Sequence, residues 1–208
     1  RRAQVELAEI EYDEGLFDAS IARLDVLLAG SLDVDLREKI IHRMAWSLLG
    51  RGQDVAAAET FEMLLRDFPK TAFESISSYQ AGEVRLTRKE YRLALPLFER
   101  AVKTATDDRL KQQAMLRQGE THCYLSQWQP AETVFAMFLE EYGNSEFVRR
   151  CQMWLGWAQE NLSKHEQAIA NYRMVLRGGK RDELSARSQF QIGQCLVKMG
   201  EPDQAVRE

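Results

Sequence analysis

The chain has 208 residues, 45% of them hydrophobic and 29% charged, with a formal net charge of −4. That apolar share excludes a disordered chain, and charges of both signs interspersed along it exclude the basic face that nucleic-acid binding needs. No apolar run approaches the length of a membrane helix, so no direct membrane insertion is expected.

Taken in chain order, six segments follow one another: EYDEGLFDASIARL, LLGRGQDVAAAETF, LTRKEYRLALPLF, YLSQWQPAETVF, NLSKHEQAIANY and VKMGEPDQAV. Aligned, they place Ser20, Ala57, Ala94, Ala131, Ala168 and Ala205 in one column, with neighbours 37 residues apart. Twelve positions earlier stand Ala8, Ala45, Gly82, Gly119, Gly156 and Gly193, all small. Four positions later come Leu24, Phe61, Phe98, Phe135 and Tyr172, all large. A further column holds Gly15, Gly52, Lys89, Ser126, Ser163 and Gly200 and marks a turn. The spacing predicts two helices per unit, one ending before the turn and one carrying the alanine and the large residue one turn apart on one face. The small residue of the first helix lets the two backbones approach, and the large residue fills the space beside it. One hairpin cannot bury that stripe alone, so neighbouring hairpins must stack.

Helix starts fit the same frame. Thr71, Asp107 or Asp108, and Asn144 precede long proline-free runs as N-caps. Pro130 and Pro202 open second helices, where a missing N–H costs little. Pro96 lies deeper in its helix and predicts a kink or a frayed start. Gly178 and Gly179 mark an inter-repeat turn or helix stop.

The alanine–aromatic pair, the small column and the closing Pro69 resemble the tetratricopeptide repeat (TPR), over the whole chain. The aromatic that opens the family's pattern and the tyrosine of its first helix are largely missing here. The period exceeds the usual one of about 34 residues by nearly one helical turn, which would be absorbed at the start of each first helix. The resemblance implies an all-α fold: an α-solenoid of stacked antiparallel hairpins, a right-handed superhelix of about eleven helices. It would form one array over 1–208, with repeats near 1–37, 38–74, 75–111, 112–148, 149–185 and an incomplete 186–208. The segments LLRDFPKTAF and FLEEYGNSEF are similar to closing segments of bacterial cell-envelope tetratricopeptide proteins, including the Tol–Pal coordinator and the outer-membrane assembly lipoprotein. That likeness favours the bacterial periplasm, and unpaired cysteines weigh against it. A start at Arg1 without methionine and a stop at Glu208 inside a helical pattern read as a piece of a longer protein, whose targeting signal lies elsewhere.

No catalytic, cofactor or metal constellation emerges, so no cofactor is expected and the chain reads as not an enzyme. His42, His122 and His165 fall in three repeats and different columns, each an ordinary, partly exposed helix residue. Cys123, Cys151 and Cys195 are too widely spaced for a Cys-x-x-Cys site and read as buried small hydrophobes. Gly50-Arg51-Gly52 lacks the strand and the lysine–hydroxyl pair of a phosphate loop.

In the family, first helices line a concave groove. Carried onto this chain, the groove columns hold Glu9, Tyr12, His42, Trp46, Tyr79, Glu83, Leu116, Glu120 and Cys123, then Arg150, Met153, Trp157, Phe190 and Gln194. Trp46, Tyr79, Trp157 and Phe190 are the anchor candidates, since aromatics carry much of the binding energy at interfaces. Trp128 and Trp154 read as core, whereas Trp46 and Trp157 share a groove column that the longer period would turn either way. The lysine–asparagine clamp with which chaperone-binding members hold a terminal carboxylate is absent: the matching columns offer Val5, Glu9, His42, Trp46, Tyr79 and Glu83. Glu9, Glu83 and Glu120 suit a basic or apolar-basic peptide instead. The expected role is a protein-interaction scaffold with a peptide or helix partner. The alternatives are a structural spacer or self-assembly element, associating through an open C-terminal end at Val206–Glu208, and a substrate-positioning domain of an enzyme whose catalytic part lies elsewhere.

Overall fold

The computed structural model describes residues 1–177 and 179–206, and among these there are twelve helices and no strand. The chain divides into two compact units, Arg1–Leu110 and Lys111–Glu208. The first holds α1 (Arg2–Asp13), α2 (Phe17–Leu28), α3 (Val34–Gly50), α4 (Asp54–Asp67), α5 (Glu74–Thr87) and α6 (Tyr91–Thr104). The boundary falls inside α7 (Asp108–Tyr124), and the second unit continues with α8 (Trp128–Glu141), α9 (Val148–Asn161), α10 (His165–Leu176), α11 (Glu183–Lys198) and α12 (Pro202–Ala205).

Within each unit, consecutive helices pack as antiparallel hairpins, and each hairpin lays its second helix against the first helix of the next. The repeat columns are the core. Ser20, Ala57, Ala94, Ala131 and Ala168 are fully buried, as are Leu24, Phe61, Phe98, Phe135 and Tyr172. The small column has a steric reason: a Cβ added at Gly82, Gly119 or Gly156 would stand 2.8, 2.5 or 2.7 Å from the ring of Phe98, Phe135 or Tyr172. Real Cβ contacts do not come that close, so the ring sits directly on the glycine backbone and fixes the separation of the two helices.

The turn column is left-handed in all six hairpins. Gly15, Gly52 and Gly200 have φ of +77°, +79° and +81°, and Lys89, Ser126 and Ser163 adopt +61°, +57° and +60°. The chain then returns through the six-to-one hydrogen bond that closes a helix on a left-handed residue: Leu16 N–H to Glu11 C=O, Gln53 to Leu48, Glu90 to Arg85, Gln127 to His122, Lys164 to Gln159 and Glu201 to Leu196.

The extra residues of the long period are used in two ways, only one of which was expected. α3, α7 and α11 gain a helical turn and run 17, 17 and 16 residues. Aspartates cap them, with Asp33, Asp107 and Asp182 accepting from the N–H of Leu36, Leu110 and Ser185 at 2.7, 2.7 and 3.0 Å. α5 and α9 stay at 14 residues, and the difference goes into a hydroxyl turn before them. Thr71 Oγ1 and Ser145 Oγ accept from the N–H of Phe73 and Phe147, both at 3.1 Å, and donate to Glu38 and Gln112 of the preceding hairpin at 2.5 Å. In the second of these turns the polar residue that acts is Ser145, not Asn144. α6 runs unbroken through Pro96 from Tyr91, so the expected frayed start is not seen. Of the Gly178–Gly179 pair, Gly178 lies outside the described residues; α10 ends at Leu176, and Gly179 is left-handed at φ +68°. The open end expected at Val206–Glu208 is described only at Val206, which is exposed.

Candidate partner-binding faces

In the first unit the groove columns lie on α1, α3 and α5, and Glu9, Tyr12, His42, Trp46, Tyr79 and Glu83 are all half-buried there. His42 is the centre of a ring cluster. It stacks on Phe73 at 3.8 Å with an 8° interplanar angle, and meets Trp46 and Phe61 edge-on at 6.3 and 6.4 Å. Trp46 donates its Nε1–H to His42 Nε2 at 3.0 Å, which requires a free lone pair on Nε2 and so places the imidazole proton on Nδ1. Burial, reinforced by the Arg43 charge, lowers the His42 pKa from 6.5 to about 4, so the ring is neutral at pH 7 and behaves as an aromatic. A second cluster is centred on the next residue of α3: the Arg43 guanidinium lies 4.7 Å over the Tyr12 ring and 3.7 Å from Glu9. Arg43 and Phe73 were missed in the sequence. Phe73 belongs to the closing segment LLRDFPKTAF, whose likeness to FLEEYGNSEF was the available signal.

In the second unit the expected set separates. Glu120 and Met153 are 1% and 3% exposed, and Leu116 and Cys123 are buried with them; these four do not present a side chain to a partner. The physical reason for Glu120 is ionic. Arg150 Nε stands 2.7 Å from one carboxylate oxygen, while Arg150 and Arg117 each donate to the other at 2.9 Å. Two guanidiniums therefore balance the charge of a carboxylate taken out of water, with hydrogen bonds to one of its two oxygens. His122 is buried too, its Nδ1 at 2.7 Å from Gln127 Oε1, which corrects the expectation of a partly exposed residue.

Arg150 and Trp157 remain half-buried. Trp157 sits between Trp128 at 5.3 Å and Trp154 at 5.2 Å, both edge-on, and Trp154 meets Tyr124 at 5.5 Å. Trp154 is core at 5% exposure, as expected, but Trp128 is only half-buried and shares the Trp157 face. Phe190, 64% exposed, and Gln194 stand on α11. The three cysteines are buried free thiols; burial, with the Glu120 charge, pushes Cys123 up to about 12, out of the range of a reactive thiolate. Among the described residues no group of three or more His, Cys, Asp or Glu is placed to hold a metal ion, and no helix is long and apolar enough to cross a membrane.

Residues 41–71, 113–145 and 150–177 each match the family model described as the tetratricopeptide repeat. The chain carries tetratricopeptide repeats. No curated protein matches it in sequence. Solved structures of the TPR protein MamA share the fold. MamA from Desulfovibrio magneticus RS-1, from residue 41 to its end, is 19% identical with a TM-score of 0.66, over 84% of this chain and 92% of that one. A MamA RS-1 double mutant is 18% identical at 0.67, over 89% and 94%, and another crystal structure of MamA is 14% identical at 0.69, over 84% and 89%. Identities this low speak for the TPR fold and not for a shared partner.

Proposed function

We propose that this chain is a non-catalytic TPR scaffold whose first helices hold a peptide or helix of a partner protein. The observation that carries this reading is the equivalent placement of Trp46 and Trp157. Both occupy one repeat column, both are half-buried, and both are braced by neighbouring rings. An aromatic held rigid but not covered loses little rotamer entropy when a partner closes on it. Charge is a lesser element of this reading. Glu120 is spent on Arg117 and Arg150, and Glu9 lies near Arg43, so an apolar segment suits these faces better than a strongly basic one.

The test is affinity capture with the intact protein, in which Trp46→Ala and Trp157→Ala are each expected to lose a hot-spot contribution of about 2 kcal/mol, or some thirtyfold in affinity. Capture at wild-type strength by two folded variants would reject the assignment. Because the closing segments are similar to those of cell-envelope TPR proteins, we propose the bacterial envelope as the compartment in which to seek the partner, with fractionation as the check.

A further inference from the structure

Arg43 in α3 and Arg117 in α7 stand two repeats apart in one column of the first helices. One turn further along each helix the neighbour differs: Glu120 follows Arg117, and Trp46 follows Arg43. Arg117 donates to its buried carboxylate at 2.9 Å, whereas Arg43 has an indole in that place. What is left to Arg43 is the Tyr12 ring, 4.7 Å from the guanidinium carbon, and Glu9, 3.7 Å from Nη2. The second separation makes an ion pair but lies beyond hydrogen-bond reach. The Arg43 Nε–H is buried and meets no acceptor, and among the described residues no oxygen accepts a hydrogen bond from this side chain.

A guanidinium presents its N–H donors in a rigid, planar fork. In α7 that fork is spent within the chain. In α3 it is held against a ring, with the side chain 25% exposed and its donors unspent, which costs free energy that an acceptor would recover. Charge decides what the fork can take. Glu9 already balances the guanidinium, and His42 beside it is neutral at pH 7. A further carboxylate would therefore stand against Glu9 as a like charge, and an uncharged oxygen would not. In a protein partner the uncharged acceptors are main-chain carbonyls, which are free in an extended segment and consumed inside a helix.

We propose that Arg43 and Trp46 form a paired anchor for an extended peptide segment of low charge. The indole takes an apolar side chain and the guanidinium takes main-chain carbonyl oxygens. This rests on the reading of the first-helix faces as partner sites, and narrows the occupant of this one from a peptide or helix to an extended peptide.

The probe is a bead-displayed, randomised library of short end-capped peptides, selected on the full chain. Selected peptides are expected to be apolar, poor in aspartate and glutamate, and extended when bound, as the Cα shifts of carbon-13-labelled peptide report. Arg43→Lys keeps the charge and loses the fork, and Arg43→Met keeps only the stem. Each should weaken these peptides roughly tenfold, with little dependence on salt. On titration of the parent chain, the Arg43 Nε–H and Trp46 Nε1–H resonances should shift together. An empty selection, acidic peptides weakened by salt, peptides helical when bound, or peptides held equally by both arginine variants would overturn the proposal. Among peptides indifferent to Arg43, those weakened by Trp46→Ala leave the partner face standing without its arginine. Indifference to Trp46→Ala and Trp157→Ala as well would remove both readings.

Discussion

Lys89, Ser126 and Ser163 hold a backbone conformation that a side chain resists, because Cβ crowds the following carbonyl at positive φ. Their hairpins close as those at Gly15, Gly52 and Gly200 do, so the strain is local and removable. Lys89→Gly, Ser126→Gly and Ser163→Gly are each expected to raise unfolding free energy by about 0.5–1 kcal/mol, the relief of left-handed strain exceeding the extra flexibility of glycine when unfolded. Gly52→Ala is expected to cost about 1 kcal/mol. Urea unfolding monitored by circular dichroism reads both signs, and destabilisation by all three glycine substitutions would refute the account. The small column behaves oppositely. Gly119→Ala drives a methyl into the Phe135 ring and is expected to cost about 1–3 kcal/mol. Phe135→Leu should cost less in that background than in the wild type, as a double-mutant cycle reports.

At the scale of helices, α3 is the element whose stability follows pH. His42 has a folded value of about 4 against an ordinary 6.5. As pH falls through that window the unfolded chain takes up the proton while the folded one does not. Stability is therefore intact above pH 6.5 and declines toward pH 4, at most by about 1.4 kcal/mol per pH unit. Unfolding free energies measured across the window should show that slope, and His42→Gln should flatten it; an unchanged slope in the variant would assign the effect to other groups. The helices themselves were legible from sequence because their causes repeat. An alanine or serine four residues before a large side chain recurs five times, a small residue twelve before that alanine or serine and a turn column recur six times, and agreement across columns outweighs any single position. The burial of Glu120 and Met153 was not legible. It depends on which way α7 and α9 are rotated and on Arg117 and Arg150 reaching one carboxylate, and column position records neither. Phe73 and Arg43 were hidden for a related reason: each acts through a partner on a neighbouring helix, His42 or Tyr12, and residue spacing does not reveal such cross-helix contacts.

For the whole molecule, the repeat is less uniform than its 37-residue spacing suggests. Aspartate caps precede α3, α7 and α11, and hydroxyl turns precede α5 and α9, so the joints alternate. Each kind depends on the hairpin before or after it. Thr71 and Ser145 donate to Glu38 and Gln112, two positions in one column of every second repeat, and Arg149, just after a hydroxyl turn, closes on Asp182 of the next aspartate joint at 2.6 and 3.0 Å. The true period of the chain is therefore a pair of hairpins. Lengthening or shortening the protein by one hairpin would set two joints of the same kind in succession and leave a hydroxyl or an arginine facing the wrong column, whereas adding or removing two would return every joint to its partner. Engineered arrays from this sequence, and any natural change in its length by duplication, should accordingly be tolerated in even steps.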